Sequence, residues 1–231
     1  MITRWPPSSW SGTTGPVPPP GTAARPGTTI LEVRLGAARR RRARRAEPHH
    51  RRTRGGPGPA AARLHIASST ADADLFLTLR VLDPDGKDVT FVSGLDPAGV
   101  VVAGWLRASH RATDPGRSLP YRPWHTHDRP QPLTPGEVVA LDVEIWPTSV
   151  VVPAGHRFAL TVTGRDFELP GDGPWSSTYG VAMKGHGTFL HNDPDDRPDE
   201  VFTGTTTLVS GPAHPSYLLL PFVPRSARQA P

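Results

Sequence analysis

The residues of this chain best suited to chemistry are a serine beside a histidine and two histidines spaced by one residue. Ser109 and His110 are consecutive, so on an extended segment their side chains point to opposite faces and cannot share a proton. The Gly-x-Ser-x-Gly pattern of a nucleophile on a sharp strand-to-helix turn does not occur. We therefore predict that this chain contributes no catalytic residue.

A candidate metal site is formed by His125 and His127, which alternate along the sequence next to Asp128. On an extended segment this spacing would aim both imidazoles at one ion, with His110 or His156 as a third ligand. In the alternative interpretation they are loop residues that hydrogen-bond to the backbone of a proline-rich connection. A lone His-x-His pattern has no specificity, so we adopt the second interpretation and expect no metal and no cofactor.

An acidic segment, Asp193-Pro194-Asp195-Asp196 with Asp199 and Glu200, is rich in the oxygen ligands that calcium takes. It lacks the Asp-x-Asp-x-Asp-Gly order of a calcium loop, and its prolines restrict how it can wrap an ion. We interpret it as a solvated loop. The chain has no cysteine, which excludes disulfides, thiolate nucleophiles and cysteine-ligated zinc.

Aromatic and arginine residues in or near two long connections are candidates for binding. The connections, 107–137 and 166–200, are rich in proline, and loops of this length are usually functional, packed against a partner or disordered. Tryptophan, tyrosine and arginine dominate binding hot spots, although a tryptophan at a strand end also serves as the edge of a core. The candidate interface residues are Trp105, Arg107, Tyr121, Trp124 and Trp175.

Strands are the elements that must position these residues. Apolar and polar residues alternate at period two in about eight segments, and no window of a dozen residues shows helical spacing with capping signals. Turns such as Asp83–Gly86 and Pro153–Gly155 separate the segments. Strands with long connections predict an all-β, jelly-roll β-sandwich. The predicted strands lie around residues 64–66, 75–81, 89–91, 100–106, 139–145, 158–163, 202–209 and 217–222.

Charge and composition divide the chain. Residues 1–60 carry 12 Arg and two acidic residues, whereas acidic residues outnumber basic ones in the remainder. Because the Arg-, Pro- and Gly-rich start cannot bury enough apolar surface to offset the entropy of ordering, we predict a disordered arm over 1–57, a domain over 58–225 and a tail over 226–231. No aromatic residue is interleaved with the arginines of 39–45, so nucleic-acid binding is not expected.

The sequence carries no recognisable membrane or export signal. Its apolar runs are far shorter than the roughly 20 residues that cross a bilayer. Pro6 and Pro7 interrupt the stretch where a secretory signal needs an unbroken apolar core. We expect a cytoplasmic protein without membrane association.

Several motifs, taken together and in order, resemble one family of hydrolases. The most distinctive is the segment 144–164, which contains Glu-Ile-Trp-Pro-Thr and Pro-Ala-Gly-His-Arg. The sequence resembles the C-terminal domain of the X-Pro dipeptidyl-peptidase and cocaine-esterase family of α/β-hydrolases from about residue 58 to residue 224. The other motifs are Ser-Ser-Thr-Ala-Asp-Ala-Asp from residue 68, the Asp-Pro-Asp-Gly turn at Asp83, Gly-Trp-Leu-Arg-Ala-Ser-His-Arg from residue 104 and Tyr-Arg-Pro at Tyr121.

The resemblance implies a galactose-binding-like jelly roll that packs against a catalytic α/β-hydrolase domain cleaving acyl or X-Pro peptide bonds. In that family the catalytic triad lies in the catalytic domain, which comes first. We therefore expect a non-catalytic C-terminal lobe that supports the catalytic domain and its substrate cleft, is inactive alone and self-associates. The alternatives are a freestanding carbohydrate- or peptide-binding jelly roll and an enzyme subunit that recruits a separate hydrolase chain.

Overall fold

The computed structural model of the chain describes six ranges: 2–4, 33–34, 53–54, 58–92, 98–167 and 190–221. The expected disordered arm lies for the most part outside these residues, and Trp175 and the expected tail lie wholly outside them. The domain boundaries at 57 and 225 therefore stay predictions.

Nearly all regular structure in the described ranges is β-strand, and every strand pair is antiparallel. Within the described ranges a 3-10 turn covers Ala108–His110, and a one-turn helix, α1, covers Asp199–Phe202. The strands are β1 (Ile2–Arg4), β2 (Val33–Arg34), β3 (Thr53–Arg54), β4 (Gly58–Ser68), β5 (Asp74–Leu82), β6 (Asp88–Val89), β7 (Val102–Arg107), β8 (Val139–Thr148), β9 (Val151–Val152), β10 (Arg157–Thr163), β11 (Thr206–Val209) and β12 (Tyr217–Leu219).

Two sheets form the body of the domain, each built on one long central strand. In the first sheet β4 pairs with β8 along one edge and with β11 and β12 along the other, and β1 lies beyond β12. In the second sheet β5 pairs with β10 along one edge and with β7 and β6 along the other, and β2 lies beyond β10. β3 and β9 form a separate pair.

The two sheets bury one apolar core between them, because alternate residues of each central strand face inward. On β4 these are Leu64 and Ile66, and on β5 they are Leu75, Leu77 and Leu79, all fully buried. Burying each such side chain contributes roughly 1.5–3 kcal/mol. Residues of the outer strands complete the core: Leu106, Leu141, Val143, Ile145, Leu160, Val162 and Leu218. The predicted all-β sandwich is confirmed.

The strand predicted around residues 202–209 is wrong at its start. Phe202 ends the helix α1, and β11 begins only at Thr206. Pro198, the residue before the helix, is extended, and the acidic Asp199 and Glu200 in the first turn suit the positive end of the helix dipole. A helix of four residues is too short to show a periodic pattern in the sequence.

Candidate interaction surface

Trp146 lies on the outward face of β8, where a bulge interrupts the end of the strand. Ile145 and Thr148 pair with residues of β4 that are only two positions apart, so β8 carries one extra residue there. Pro147, which has no N–H to donate, lies in this bulge, where a sheet tolerates proline. Ile145 is fully buried, whereas Trp146 is 59% exposed. The sequence predicted the strand to end at Ile145, but β8 continues past it.

Trp105 of β7 meets Trp146 at this surface. The centroids of the two indole rings are 5.6 Å apart, and the ring of His191 lies 5.4 Å from that of Trp105. Trp105 is 43% exposed, and Leu190 is exposed beside His191 in the sequence. We call Trp105, Trp146, Leu190 and His191 the aromatic patch. Indole rings expose a large apolar area with little conformational entropy to lose, which suits them to protein interfaces.

His191 attaches the aromatic patch to the second sheet. Its backbone N–H donates to Oδ2 of the buried Asp166 at 2.6 Å, and its Nδ1 lies 3.0 Å from Oδ1 of the same carboxylate. The His191 ring also lies 5.3 Å from the ring of the buried Phe76 on β5. The patch is thus held in place before any partner binds.

Arg107, predicted as an interface residue, is engaged in an ion-pair cluster, and its contact with a partner stays a prediction. Its guanidinium donates to both oxygens of Asp74 at 3.0 and 3.1 Å and to both oxygens of Asp196 at 2.9 Å. Arg197 Nε lies 3.0 Å from the same Asp74, and both guanidinium groups lie over the ring of Phe202. The bond to Asp74, more than any other contact, raises the pKa of Arg107, and the bond from Arg107 lowers the pKa of Asp196. Arg107 therefore ties the segment that contains α1 to β5.

Trp124 and Tyr121 lie in the loop between the 3-10 turn and β8, which packs on itself. The guanidinium of Arg117 lies 3.8 Å from the centroid of the Trp124 ring. The Trp124 N–H donates to Ser118 Oγ at 2.9 Å, and its carbonyl accepts from the N–H of Asp114 at 2.9 Å. Tyr121 is exposed. One face of Trp124 is already covered, which makes it a weaker candidate for a partner contact than Trp105.

The two histidines of the His-x-His pattern do not converge. Nδ1 of His125 lies 3.1 Å from the carbonyl oxygen of His110, and its Nε2 lies 3.0 Å from that of Asp142. Burial, more than any other factor, lowers the pKa of His125. His127 lies instead against the ring of His110, while His156 is in the turn before β10. Within the described ranges no group of three or more His, Asp or Glu side chains is arranged to hold a metal ion.

The serine–histidine contacts do not form catalytic machinery. Ser109 is buried; its N–H donates to Asp72 Oδ1 at 2.9 Å and its carbonyl accepts from the N–H of Gln131 at 2.7 Å. Ser216 Oγ lies 3.5 Å from Nδ1 of His65, the outer limit of a hydrogen bond. The same oxygen accepts the backbone N–H of His65 at 3.3 Å. Both residues are buried, so neither offers a nucleophile with its base at an accessible site.

The acidic segment is a loop that is held in part by hydrogen bonds within itself. The Asp193 carboxylate accepts the N–H of Asp195 at 3.0 Å, and its carbonyl accepts the N–H of Arg197 at 2.9 Å. A cavity of about 40 Å³ lies nearby, between the start of β5, the end of β10 and α1. It has room for a few water molecules, whereas small-molecule sites measure roughly 300–1,000 Å³.

Fold and surface together define a β-sandwich domain with an exposed aromatic patch. A model of the family described as the X-Pro dipeptidyl-peptidase C-terminal non-catalytic domain matches residues 57–219. Since this match covers well over half of the chain, the chain belongs to that family. It is the type of domain that forms the C-terminal lobe of a serine hydrolase.

Relatives and solved structures agree with this assignment. A Mycobacterium bovis protein named as a serine esterase is 31% identical over 129 residues, which is 52% of this chain and 19% of the relative. The cocaine esterase of a Rhodococcus species is 25% identical over 168 residues, 73% of this chain and 23% of the relative. A CocE/NonD family hydrolase from Staphylococcus aureus shares the fold with a TM-score of 0.61 and 22% identity, over 84% of this chain and 30% of that one.

The chain thus matches about a fifth of the length of these curated relatives. Among the described residues no helix combines the length and the apolar character needed to span a membrane.

Proposed function

We propose that this domain packs against the catalytic α/β-hydrolase domain of a serine hydrolase through the aromatic patch. The observation that carries the proposal is the contact between Trp105 and Trp146, two largely exposed rings fixed side by side on two different strands. Since roughly four fifths of each curated relative lies outside the match, the natural occupant of such a surface is the rest of a hydrolase. Exposed apolar patches of this kind mark protein interfaces.

A freestanding carbohydrate- or peptide-binding module is less well supported. Such a module would present an aromatic face in a pocket with convergent polar groups. Trp105 and Trp146 lie on an open surface, and the cavity beside α1 is far too small for a sugar ring. Arg117 already covers one face of the Trp124 ring, which leaves less of that ring for stacking.

For the whole protein we propose hydrolysis of acyl esters or X-Pro peptides. The nucleophile, its base and the oxyanion hole would all come from the catalytic domain, and this domain would support that domain and frame the substrate cleft. The names of the relatives, a serine esterase and a cocaine esterase, favour an ester as substrate. A cytoplasmic location is part of the proposal and stays a prediction.

A first experiment tests whether the aromatic patch causes self-association when no catalytic domain covers it. Sedimentation velocity over a range of concentrations should show self-association of the chain. The double variant Trp105→Ser, Trp146→Ser should remain monomeric over the same range. Tyr121→Ser, which removes another exposed aromatic residue, is the matched control and should associate as the unmodified chain does. Equal association of all three proteins would place the surface elsewhere.

A second experiment tests the partner. Residues 58–221 are substituted for the C-terminal domain of the Rhodococcus cocaine esterase, and the thermal half-life of its esterase activity is measured. The hybrid should keep activity, and the double tryptophan variant should shorten the half-life severalfold while the Tyr121→Ser hybrid does not. Identical half-lives for the three hybrids would contradict docking through the aromatic patch.

A further inference from the structure

We propose that His110 and His127 form a site for a divalent transition-metal ion such as Zn²⁺, Ni²⁺ or Cu²⁺. Their Nδ1 atoms lie 3.0 Å apart. Two nitrogen ligands bound at about 2.0–2.1 Å to one tetrahedral zinc ion are about 3.3 Å apart. The two imidazoles are therefore within a few tenths of an ångström of the separation that a shared ion requires, and imidazole is a ligand that all three metals favour.

The backbone of His127 is held in an unusual conformation that places its ring against His110. Its φ angle is +51°, and no other non-glycine residue in the described ranges has a positive φ. This left-handed conformation costs of order 1–3 kcal/mol and persists only where the surroundings enforce it. Such a cost at an exposed loop residue indicates a side chain whose direction matters.

Residues on both sides of His127 are anchored, which explains how the conformation is maintained. His125 has both ring nitrogens against carbonyl oxygens. Thr126 donates its N–H to the carbonyl of Ala112 at 3.1 Å and its hydroxyl to Asp128 Oδ1 at 2.6 Å. His125 is therefore a support for the site rather than a ligand, the reverse of the role that the His-x-His spacing suggested.

The site is accessible and incomplete. His127 is exposed and His110 is half-buried, so an ion reaches both rings from solvent. Without an ion, one imidazole must donate to the other across the 3.0 Å contact, because two lone pairs cannot face each other. With two ligands from the described part of the chain, the remaining positions go to water, and binding is reversible and weaker than at a closed structural site.

Metal binding would also fix the loop that connects the two histidines. His110 ends the 3-10 turn after β7 and His127 lies at the far end of the loop that carries Tyr121 and Trp124. An ion bound to both histidines would cross-link residues 110 and 127 and restrict the segment between them. The inference does not depend on the proposed docking function, because it concerns residues outside the aromatic patch.

Isothermal titration of the full chain with zinc chloride at pH 7.5 tests the site directly. One ion should bind per chain, and both His110→Ala and His127→Ala should weaken binding at least tenfold, which is about 1.4 kcal/mol. His156→Ala, a histidine in a turn elsewhere, is the matched control. The double variant His49→Ala, His50→Ala controls for the adjacent histidines of the arm, and both controls should bind as the unmodified chain does.

Imidazole ¹⁵N chemical shifts of the unmodified chain make the test independent of variant folding. Addition of zinc should shift the Nδ1 signals of His110 and His127 and leave those of His156 in place. Absence of saturable heat at millimolar zinc would overturn the proposal. So would unchanged affinity in both site variants, or zinc-induced shifts confined to other histidines.

Discussion

Gly104 of β7 lies directly against the main chain of Glu144 in β8. A Cβ atom on Gly104 would lie 2.1 Å from the carbonyl oxygen of Glu144, which is a severe steric clash. Glycine is thus required here by the close approach of two strands and not by a turn. This close approach brings Trp105, the residue after Gly104, beside Trp146 near the end of β8.

Gly104→Ala should destabilise the domain. Because the neighbouring atoms are main-chain atoms, the strands must separate, and overpacking of this kind costs roughly 1–3 kcal/mol. For a chain of this size the midpoint of thermal unfolding should fall by about 2–4 °C per kcal/mol. Gly116→Ala, whose added methyl would meet only the Asp114 side chain at 3.3 Å, is the control. An unchanged midpoint for Gly104→Ala would show that the strands do not approach so closely.

Asp74→Asn should cost far more stability than Asp196→Asn, although both carboxylates bind Arg107. The Asp74 side chain is 9% exposed and also pairs with Arg197, so loss of its charge removes a partner from two partly buried guanidinium groups, at roughly 1–3 kcal/mol. The Asp196 side chain is 60% exposed, and loss of its charge should cost less than about 1 kcal/mol. Urea unfolding of both variants measures the difference. Equal effects would indicate that solvent screens both pairs alike.

The stability of the domain should fall as the pH drops from 7 to 5. Burial lowers the pKa of His125 in the folded chain, whereas an unfolded histidine titrates near pH 6.5. In the pH range between these two values the unfolded state binds more protons, so the free energy of unfolding decreases as pH falls. Burial, followed by the charges of His214 and Arg63, lowers the pKa of His65 as well, and it acts in the same direction.

The variant His125→Gln should flatten this pH dependence. The glutamine amide can donate to a carbonyl oxygen but cannot become charged, so the contribution of His125 disappears while that of His65 remains. Urea unfolding at a series of pH values between 5 and 8 gives the slope, and His156→Gln serves as the control. A slope as steep in His125→Gln as in the unmodified chain would refute the assignment.

The isolated chain should not hydrolyse activated esters or X-Pro peptides. Among the described residues no histidine ring nitrogen bonds to Ser109, and His125 is engaged with the carbonyls of His110 and Asp142. Turnover of a nitrophenyl ester and of an X-Pro nitroanilide is measured beside labelling by a fluorophosphonate. Saturable turnover with stoichiometric labelling of one serine would overturn the non-catalytic assignment, and loss of the label in Ser216→Ala would identify the serine.

The fold was predictable because the two-residue period of a strand is visible wherever one of its faces is buried. The pattern of β5 and β10 identified both strands and the inward-facing leucines. The turns at Asp83 and Pro153 were equally readable, since Gly86 and Gly155 both adopt the positive φ that their positions require. The helix α1 was missed because four residues carry no period.

The surface was only partly predictable. Trp105 was singled out by residue type, but Trp146 was not, although the alternation that buries Ile145 places Trp146 on the outward face of the same strand. The contact between His110 and His127 depends on the path of a long loop, and spacing along the sequence contains no information about that path. Arg107 was chosen for its residue type. The positions of Asp74 and Asp196 in the fold show that its guanidinium forms ion pairs within the domain.

The pairing of β4 has a consequence for how the domain forms. β4 is the first long strand of the sandwich, yet its neighbours β8, β11 and β12 come late in the sequence, and the contact between His65 and Ser216 spans 151 residues. Chains dominated by such distant pairings fold slowly, in milliseconds to seconds. During synthesis both edges of β4 stay unpaired until almost the whole domain has left the ribosome. Truncation before β12 would leave the part of β4 that pairs with β12 unpaired and available for aggregation.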